Sequence, residues 1–147
     1  MLSTSSNAIL GIFRSNAYLE ERFTGTLSAV HGIALKELLL MLYVQRAPGS
    51  KLSRVDLAKR LHVNPSTVTR MTLPLEKIGL LAREADARDA RLSYVKLTPS
   101  GEVRLDESIA TLERMAADAF RDRWSDDDIQ ALDALLQRIV SGSPGQL

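Results

Sequence analysis

Residues 52–81 read LSRVDLAKRLHVNPSTVTRMTLPLEKIGLL, and the punctuation of this stretch decides the fold. Ser53 followed three residues later by Asp56 is a capping-box-like start, the carboxylate standing where Glu is usual. It opens a short helix over residues 54–61. Asn64 before Pro65 is a second start. Asn accepts from an unpaired N–H of the first turn, and Pro at the first helical position has no N–H to leave unpaired. That helix runs from 65 to about 78, where Gly79 stops it. Only His62, Val63 and Asn64 separate the two, so the stretch fits a helix-turn-helix.

The periodicity assigns faces. Leu57, Leu61, Val63, Val68, Met71, Leu75 and Ile78 are expected to be buried, the last four at spacings of 3, 4 and 3, and Ala58 allows close approach of the two helices. At about 100° per residue, Ser66, Thr69, Arg70, Leu73 and Lys77 lie opposite Val68. A helix fits the major groove, Arg bridges two acceptors of guanine, and Ser or Thr reaches phosphate or base. The N–H groups at the helix start, across Asn64, Pro65, Ser66 and Thr67, suit a phosphate, Pro65 itself contributing none. The alternative is a merely solvated face. Leu73 fits that alternative poorly and suits contact with a thymine methyl.

Working outward, LLARE (80–84) and RLSYVKL (91–97) read as two strands pairing as a hairpin across the polar segment 85–90. The tip, from Asp86 and Arg88 to Asp89 and Arg91, alternates sign with Ala spacers. An internal Asp–Arg pair can stiffen such a loop while another Arg projects into a minor groove, and an ordinary charged turn is the plain alternative. Before this unit, residues 7 to about 23 carry apolar side chains at helical spacing, with Gly25 and Gly32 in the connector. LKELLLMLYV (35–44) is apolar on nearly every side and predicts a central helix ended by Ala47, Pro48 and Gly49. After it, Thr98 and Pro99 restart helix, and Leu105, Ile109, Leu112, Ala116 and Ala119 follow at spacings of 4, 3, 4 and 3, a seam for packing on another helix. Ser125 with Asp126, Asp127 and Asp128 caps a last helix whose face is Ile129, Leu132, Leu136 and Ile139.

Composition agrees with this layout. The 147 residues suffice for one domain with an appended helical part, and 45% apolar but only 5% aromatic residues imply a core of Leu, Ile, Val and Ala. The net charge is only +1, but it is unevenly spread: residues 50–104 carry 11 basic and 6 acidic groups, and residues 105–147 carry 4 and 9. The helix-turn-helix and hairpin are thus the cationic part, as attraction to phosphates requires. The absence of cysteine excludes disulfides, thiolate nucleophiles and Cys-based zinc sites, and two separated histidines give a metal site little support. His62 is expected to be solvated or near phosphate, His31 to pack or cap in the connector, and Trp124 to anchor the last helix hydrophobically. A glycine-rich phosphate loop and nucleophile motifs are lacking, so no enzyme, cofactor or metal is expected. The start MLSTSSNAIL lacks a secretory pattern and no 18-residue apolar stretch occurs, so the expectation is a cytoplasmic protein with no membrane partner.

Residues 32–105 resemble the winged helix-turn-helix of the MarR family, the multiple-antibiotic-resistance regulators. The strings that carry the resemblance are the opening stretch, the wing signature DARDAR (86–91) and YVKLTPSG (94–101), in that order. The expected class is mainly α with a small β-hairpin wing, flanked by N- and C-terminal dimerisation helices. Residues 1–31 form the first helix and connector, 32–100 the DNA-binding domain, 101–141 the C-terminal dimerisation helices and 142–147 a disordered tail. The resemblance implies a homodimer on double-stranded, pseudo-palindromic DNA, a repressor released by a small, often aromatic, effector. It makes Ser66, Thr67, Thr69 and Arg70 major-groove residues and Arg88 and Arg91 wing residues, with Asp89 orienting an arginine. A winged-helix module that binds a protein or serves only as a dimer scaffold is the alternative function. Two departures stand out. Pro74 inside the recognition helix is expected to bend it after Arg70. Ala34 stands where many relatives cap with Ser or Thr, which weakens one helix end by ~1 kcal/mol.

Overall fold

The computed structural model describes residues 1–144. Helix α1 spans Thr4–His31, α2 Leu35–Arg46, α3 Arg54–Leu61, α4 Pro65–Lys77, α5 Pro99–Ala119 and α6 Asp126–Val140. Strands β1 (Lys51–Ser53), β2 (Leu81–Ala85) and β3 (Ser93–Leu97) form one antiparallel sheet in the order β1-β3-β2. The predicted hairpin is therefore two-thirds of a three-stranded sheet. β1 pairs Leu52 with Val95, and at three residues, with Leu52 alone buried, it carries no alternation for a sequence reading to detect.

α1 also runs a full two turns beyond its predicted end, so Gly25 is inside the helix and not in a connector, and His31 is its last residue. The extension buries Leu27 completely. Burying a leucine is worth about 2 kcal/mol against about 1 kcal/mol for a helical glycine, so burial wins. The true stop is Gly32, at φ 71°, whose N–H returns to the Ser28 carbonyl at 3.0 Å.

α2 is the hub. Leu38, Leu40, Met41, Tyr43 and Val44 are all buried, and Leu27, Ile33, Leu57, Val68, Leu75, Val95 and Leu105 close around them. Ala34 offers no side-chain cap, as expected, but two other groups replace it. Glu37 Oε2 accepts the Ala34 N–H at 2.8 Å, and Thr24 Oγ1 of α1 accepts the Leu35 N–H at 3.1 Å. The expected weakness is thus offset by a tie between α1 and α2.

The helix-turn-helix forms as its punctuation dictates. Ser53 Oγ accepts the Asp56 N–H at 3.1 Å, although the return contact is Ser53 Oγ donating to Asp56 Oδ2 (2.9 Å) and not the Ser53 N–H of a full capping box. At the far end, His62 takes φ 54°, and the His62 and Val63 N–H groups return to the Lys59 and Ala58 carbonyls. His62 is exposed at this turn. Leu57, Ala58, Val68 and Leu75 are buried as predicted, with Leu61, Val63 and Met71 half-buried. Ile78 is not: it is 59% exposed just past α4, and Thr72, fully buried, takes the place on the inner face. The Thr72 hydroxyl is satisfied by the Thr69 carbonyl at 3.3 Å, which lets a threonine sit there.

α5 joins the sheet through one tight approach. Thr98 caps α5 by accepting the Gly101 N–H (3.0 Å), while its own N–H and hydroxyl donate to the Leu80 and Gly79 carbonyls at 3.1 and 2.5 Å. A Cβ on Gly101 would lie 2.0 Å from the Leu80 oxygen. Farther along, the seam is Leu105, buried, with Ile109, Leu112, Ala116 and Ala119 half-buried, and the buried Ser108 and Thr111 share it.

The two ends of the chain leave apolar faces uncovered. Ile9, Leu10, Phe13 and Tyr18 of α1 are exposed, as are Leu136 and Ile139 of α6, while Ile129 and Leu132 are only half-buried. Trp124 is 44% exposed and stacks edge-on with Phe120 at 5.4 Å, so it is not the buried anchor expected. Of the expected tail, residues 142–144 form a turn, with the Ser143 N–H on the Val140 carbonyl at 2.9 Å, and 145–147 lie outside the described residues. Among the described residues no single helix is long and apolar enough to cross a membrane. α1 and α2, bent by 74° at their junction, pass that test only as a pair, and α2 is core.

Two glycine substitutions separate these constraints. Gly101→Ala should lower unfolding free energy by about 3 kcal/mol, because backbone must move to admit the methyl. Gly25→Ala, with open space around it, should raise stability by up to ~1 kcal/mol. Urea denaturation of both variants measures the difference; equal effects would contradict the packing described.

Candidate nucleic-acid interface

Burial of Val68, Thr72 and Leu75 fixes which side of α4 meets solvent. Asn64, Pro65, Ser66, Arg70, Leu73 and Lys77 are exposed, and Thr67 and Thr69 half-buried. The sequence-predicted groove residues therefore share one accessible surface. Leu73, 41% exposed, has no place in the core. Pro74 does not end the helix, which continues to Lys77; the proline removes one backbone donor on an exposed side.

The start of α4 is tightly organised. Asn64 Oδ1 accepts from the Thr67 N–H (2.9 Å), the Ser66 hydroxyl (2.6 Å) and the Thr67 hydroxyl (3.0 Å). This amends the expectation of free N–H groups from 64 to 67, since the Thr67 N–H is spent on the cap and Pro65 has none. Arg70 Nη2 donates to Thr67 Oγ1 at 3.2 Å, so its guanidinium lies along the helix surface. A residue that the sequence reading missed, Arg54, reaches across from the first turn of α3 and donates to Thr69 Oγ1 at 3.3 Å. A cation at the positive end of a helix dipole is locally unfavourable, and that conflict was its signal in the sequence.

The wing tip lies between β2 and β3. Asp86 Oδ1 accepts the Arg88 and Asp89 N–H groups at 2.8 and 2.9 Å, while Oδ2 accepts the Tyr94 hydroxyl at 2.7 Å. The Tyr94 O–H first, and then the two amides, hold the Asp86 carboxyl below its ordinary value. These bonds are therefore at full strength above the ordinary carboxylate range and are lost as pH falls through the lowered value. Asp89 Oδ1 accepts the Arg91 Nε and N–H at 3.2 and 3.0 Å, and Arg91, chiefly through that side-chain bond, holds the Asp89 carboxyl below its ordinary value too. Arg88 is exposed and, among the described residues, its side chain makes no ion pair. Tyr94 was the second residue missed. It follows the wing signature, and the signal was an aromatic at an outward position of a strand.

On the same sheet face, Lys51 Nζ binds Glu84 Oε2 at 3.0 Å and sits 4.8 Å from the centre of the Tyr94 ring. Away from the wing, His31 Nε2 lies 2.8 Å from Thr111 Oγ1 of α5 and its carbonyl accepts from Arg104, a packing arrangement between α1 and α5. No group of three potential metal ligands occurs among the described residues.

Comparison with known proteins matches the MarR family over residues 35–93. The HTH-type transcriptional repressor MdtR of Bacillus subtilis is 30% identical over 79 residues, which is 54% of this chain and 50% of that protein. The chain spans about half the length of the curated relatives it matches. Among solved structures, Sco3205, a MarR family transcriptional regulator from Streptomyces coelicolor in complex with DNA, superposes with a TM-score of 0.82 at 21% identity, over 97% of this chain and 89% of that one. The organohalide-sensing regulator RdhR-CbdbA1625, bound to 2,4-dichlorophenol, has a TM-score of 0.81 at 15% identity, over 98% and 83% of the two chains. At these identities the likeness is one of fold, and it includes the helices that flank the winged unit. Motif order, family-model match and three-dimensional fold coincide on the same segment, residues 35–93, which is similar to the MarR family.

Proposed function

We propose that this protein is a homodimeric, DNA-binding transcription regulator whose α4 enters the major groove while the wing reaches the neighbouring minor groove. The observation that carries the proposal is the exposed row of Ser66, Arg70, Leu73 and Lys77, with the half-buried Thr69 beside it, on a helix whose opposite side is locked into the core. Asn64, Pro65 and Thr67 shape the start of that helix, and the wing tip bearing Arg88 and Arg91, oriented by Asp86 and Asp89, lies beyond β2. Arg70 reads a base, the hydroxyls and Lys77 serve phosphate or base, and Arg88 supplies a cation to the backbone. The +5 charge of residues 50–104 provides the sequence-independent attraction.

The uncovered apolar faces of α1 and α6 are the basis for the dimer, since soluble monomers seldom expose contiguous apolar patches of this kind. Two-fold pairing sets two α4 helices about 34 Å apart, one turn of DNA. MdtR is named a repressor and RdhR-CbdbA1625 was solved with a chlorophenol. By analogy this protein represses and releases DNA on binding a small aromatic compound near the junction of the winged domain and dimer helices. Thermal-shift screening of phenols, followed by loss of DNA binding with any hit, checks that last step.

Fluorescence anisotropy on a palindromic duplex tests the interface. Arg70→Ala should relax preference at one base position per half-site at a cost of about 1–3 kcal/mol, whereas Arg88→Ala should weaken all sequences alike and flatten the salt dependence by about one unit per wing. Unchanged binding by both variants would reject the assignment. Sedimentation tests the dimer: the native chain should run as a dimer and Phe13→Asp should shift it to monomer, while a native monomer would contradict the pairing.

A further inference from the structure

The wing tip poses an electrostatic problem. From Asp86 to Arg91 it carries two carboxylates and two guanidinium groups, formally neutral, yet the proposed function requires it to approach phosphates. Each carboxylate that faced the DNA unsatisfied would repel the backbone as strongly as an arginine attracts it. Asp89 is answered by Arg91, in the loop itself. Asp86 is answered from outside the loop, by Tyr94.

The geometry is specific. In the antiparallel register Tyr94 pairs with Glu84 of β2 and with Ser53 of β1, so its ring lies on the outward face of the sheet. Lys51, on that face, is held by Glu84 and sits over the ring at 4.8 Å. The ring is thereby propped from β1 and aims its hydroxyl at Asp86 Oδ2, 2.7 Å away. The other oxygen, Oδ1, is the acceptor for the Arg88 and Asp89 amides that turn the chain at the tip. A carboxylate bound on one oxygen only can rotate, and the amides would lose their fixed acceptor.

We infer that Tyr94 is a positioning residue for DNA binding: its hydroxyl locks the Asp86 carboxylate so that the tip keeps its turn and Arg88 stands as the cation presented to phosphate. This rests on the wing reading of the proposed function. Tyr94 acts through Asp86 and Arg88 and reads no base itself.

Tyr94→Phe is the informative change, because it keeps the ring, its packing and the contact with Lys51 and removes only the hydroxyl. The full-length protein, its Tyr94→Phe and Arg88→Ala variants and the double variant are titrated with the duplex that the unmodified protein enriches from a random-sequence pool. Tyr94→Phe should weaken binding by about three- to tenfold, flatten the salt dependence, leave base preference and melting temperature unchanged, and add nothing to Arg88→Ala. Hydrogen exchange on the DNA-free protein should show faster exchange at the Arg88 and Asp89 amides in Tyr94→Phe. Native-like affinity in Tyr94→Phe while Arg88→Ala binds weakly, additive losses in the double variant, or unchanged amide exchange would each overturn the inference. If Arg88→Ala itself binds normally, the wing reading fails, and amide exchange still decides whether Tyr94 orders the tip.

Discussion

The inner face of α4 is the constraint on which everything else depends. Val68, Thr72 and Leu75 lie on one side of a helix and are buried to near completion, and a helix cannot turn those three inward without turning Arg70 and Lys77 outward. The orientation of the candidate recognition surface is therefore a consequence of core packing. Its precision comes from the Asn64 cap, which binds three donors of the first turn, and from the Schellman-type closure at His62, which sets the angle at which α4 leaves α3. An apolar core stabilises the fold and, through the helix period, aims the polar surface.

The wing depends on a different economy. It has few buried side chains and is held by polar contacts: Tyr94 of the sheet to Asp86, Lys51 to Glu84 between strands, and Arg91 to Asp89 within the loop. Exposed pairs of this kind contribute little to global stability, so their use lies in local shape. They engage both tip carboxylates and, among the described residues, leave Arg88 without an ion pair. The sheet that bears the wing is in turn fixed to α5 by Thr98 and the close pass of Gly101 under the Leu80 carbonyl. That junction ties the winged unit to the helices whose outer faces are free.

Much of this was legible from punctuation. Asn64–Pro65, Thr98–Pro99 and Ser125 with its aspartates announce helix starts through local chemistry that tertiary contacts do not override, and each is found as a cap. The elements missed are those decided by distant partners. β1 exists only because β3 offers it an edge, α1 passes Gly25 because Leu27 has a core to enter, and the α2 start is capped by Thr24, eleven residues earlier. The 3-4-3 spacing points Ile78 inward only if it is carried one step beyond the end of the helix, where the period no longer applies. Of the candidate interface, the exposed row was readable from a helical wheel. Arg54 and Tyr94 were not, since each belongs to a neighbouring element and meets the interface only through the fold.

Hydroxyl-radical footprinting of the full chain on its enriched duplex maps the docking of two winged units without altering any residue. Paired docking gives two protected tracts whose centres lie about one helical turn apart, each flanked on the outside by a protected minor groove, all fading together as salt rises. A single protected tract, or protection that appears without the outer minor-groove contacts, would contradict it.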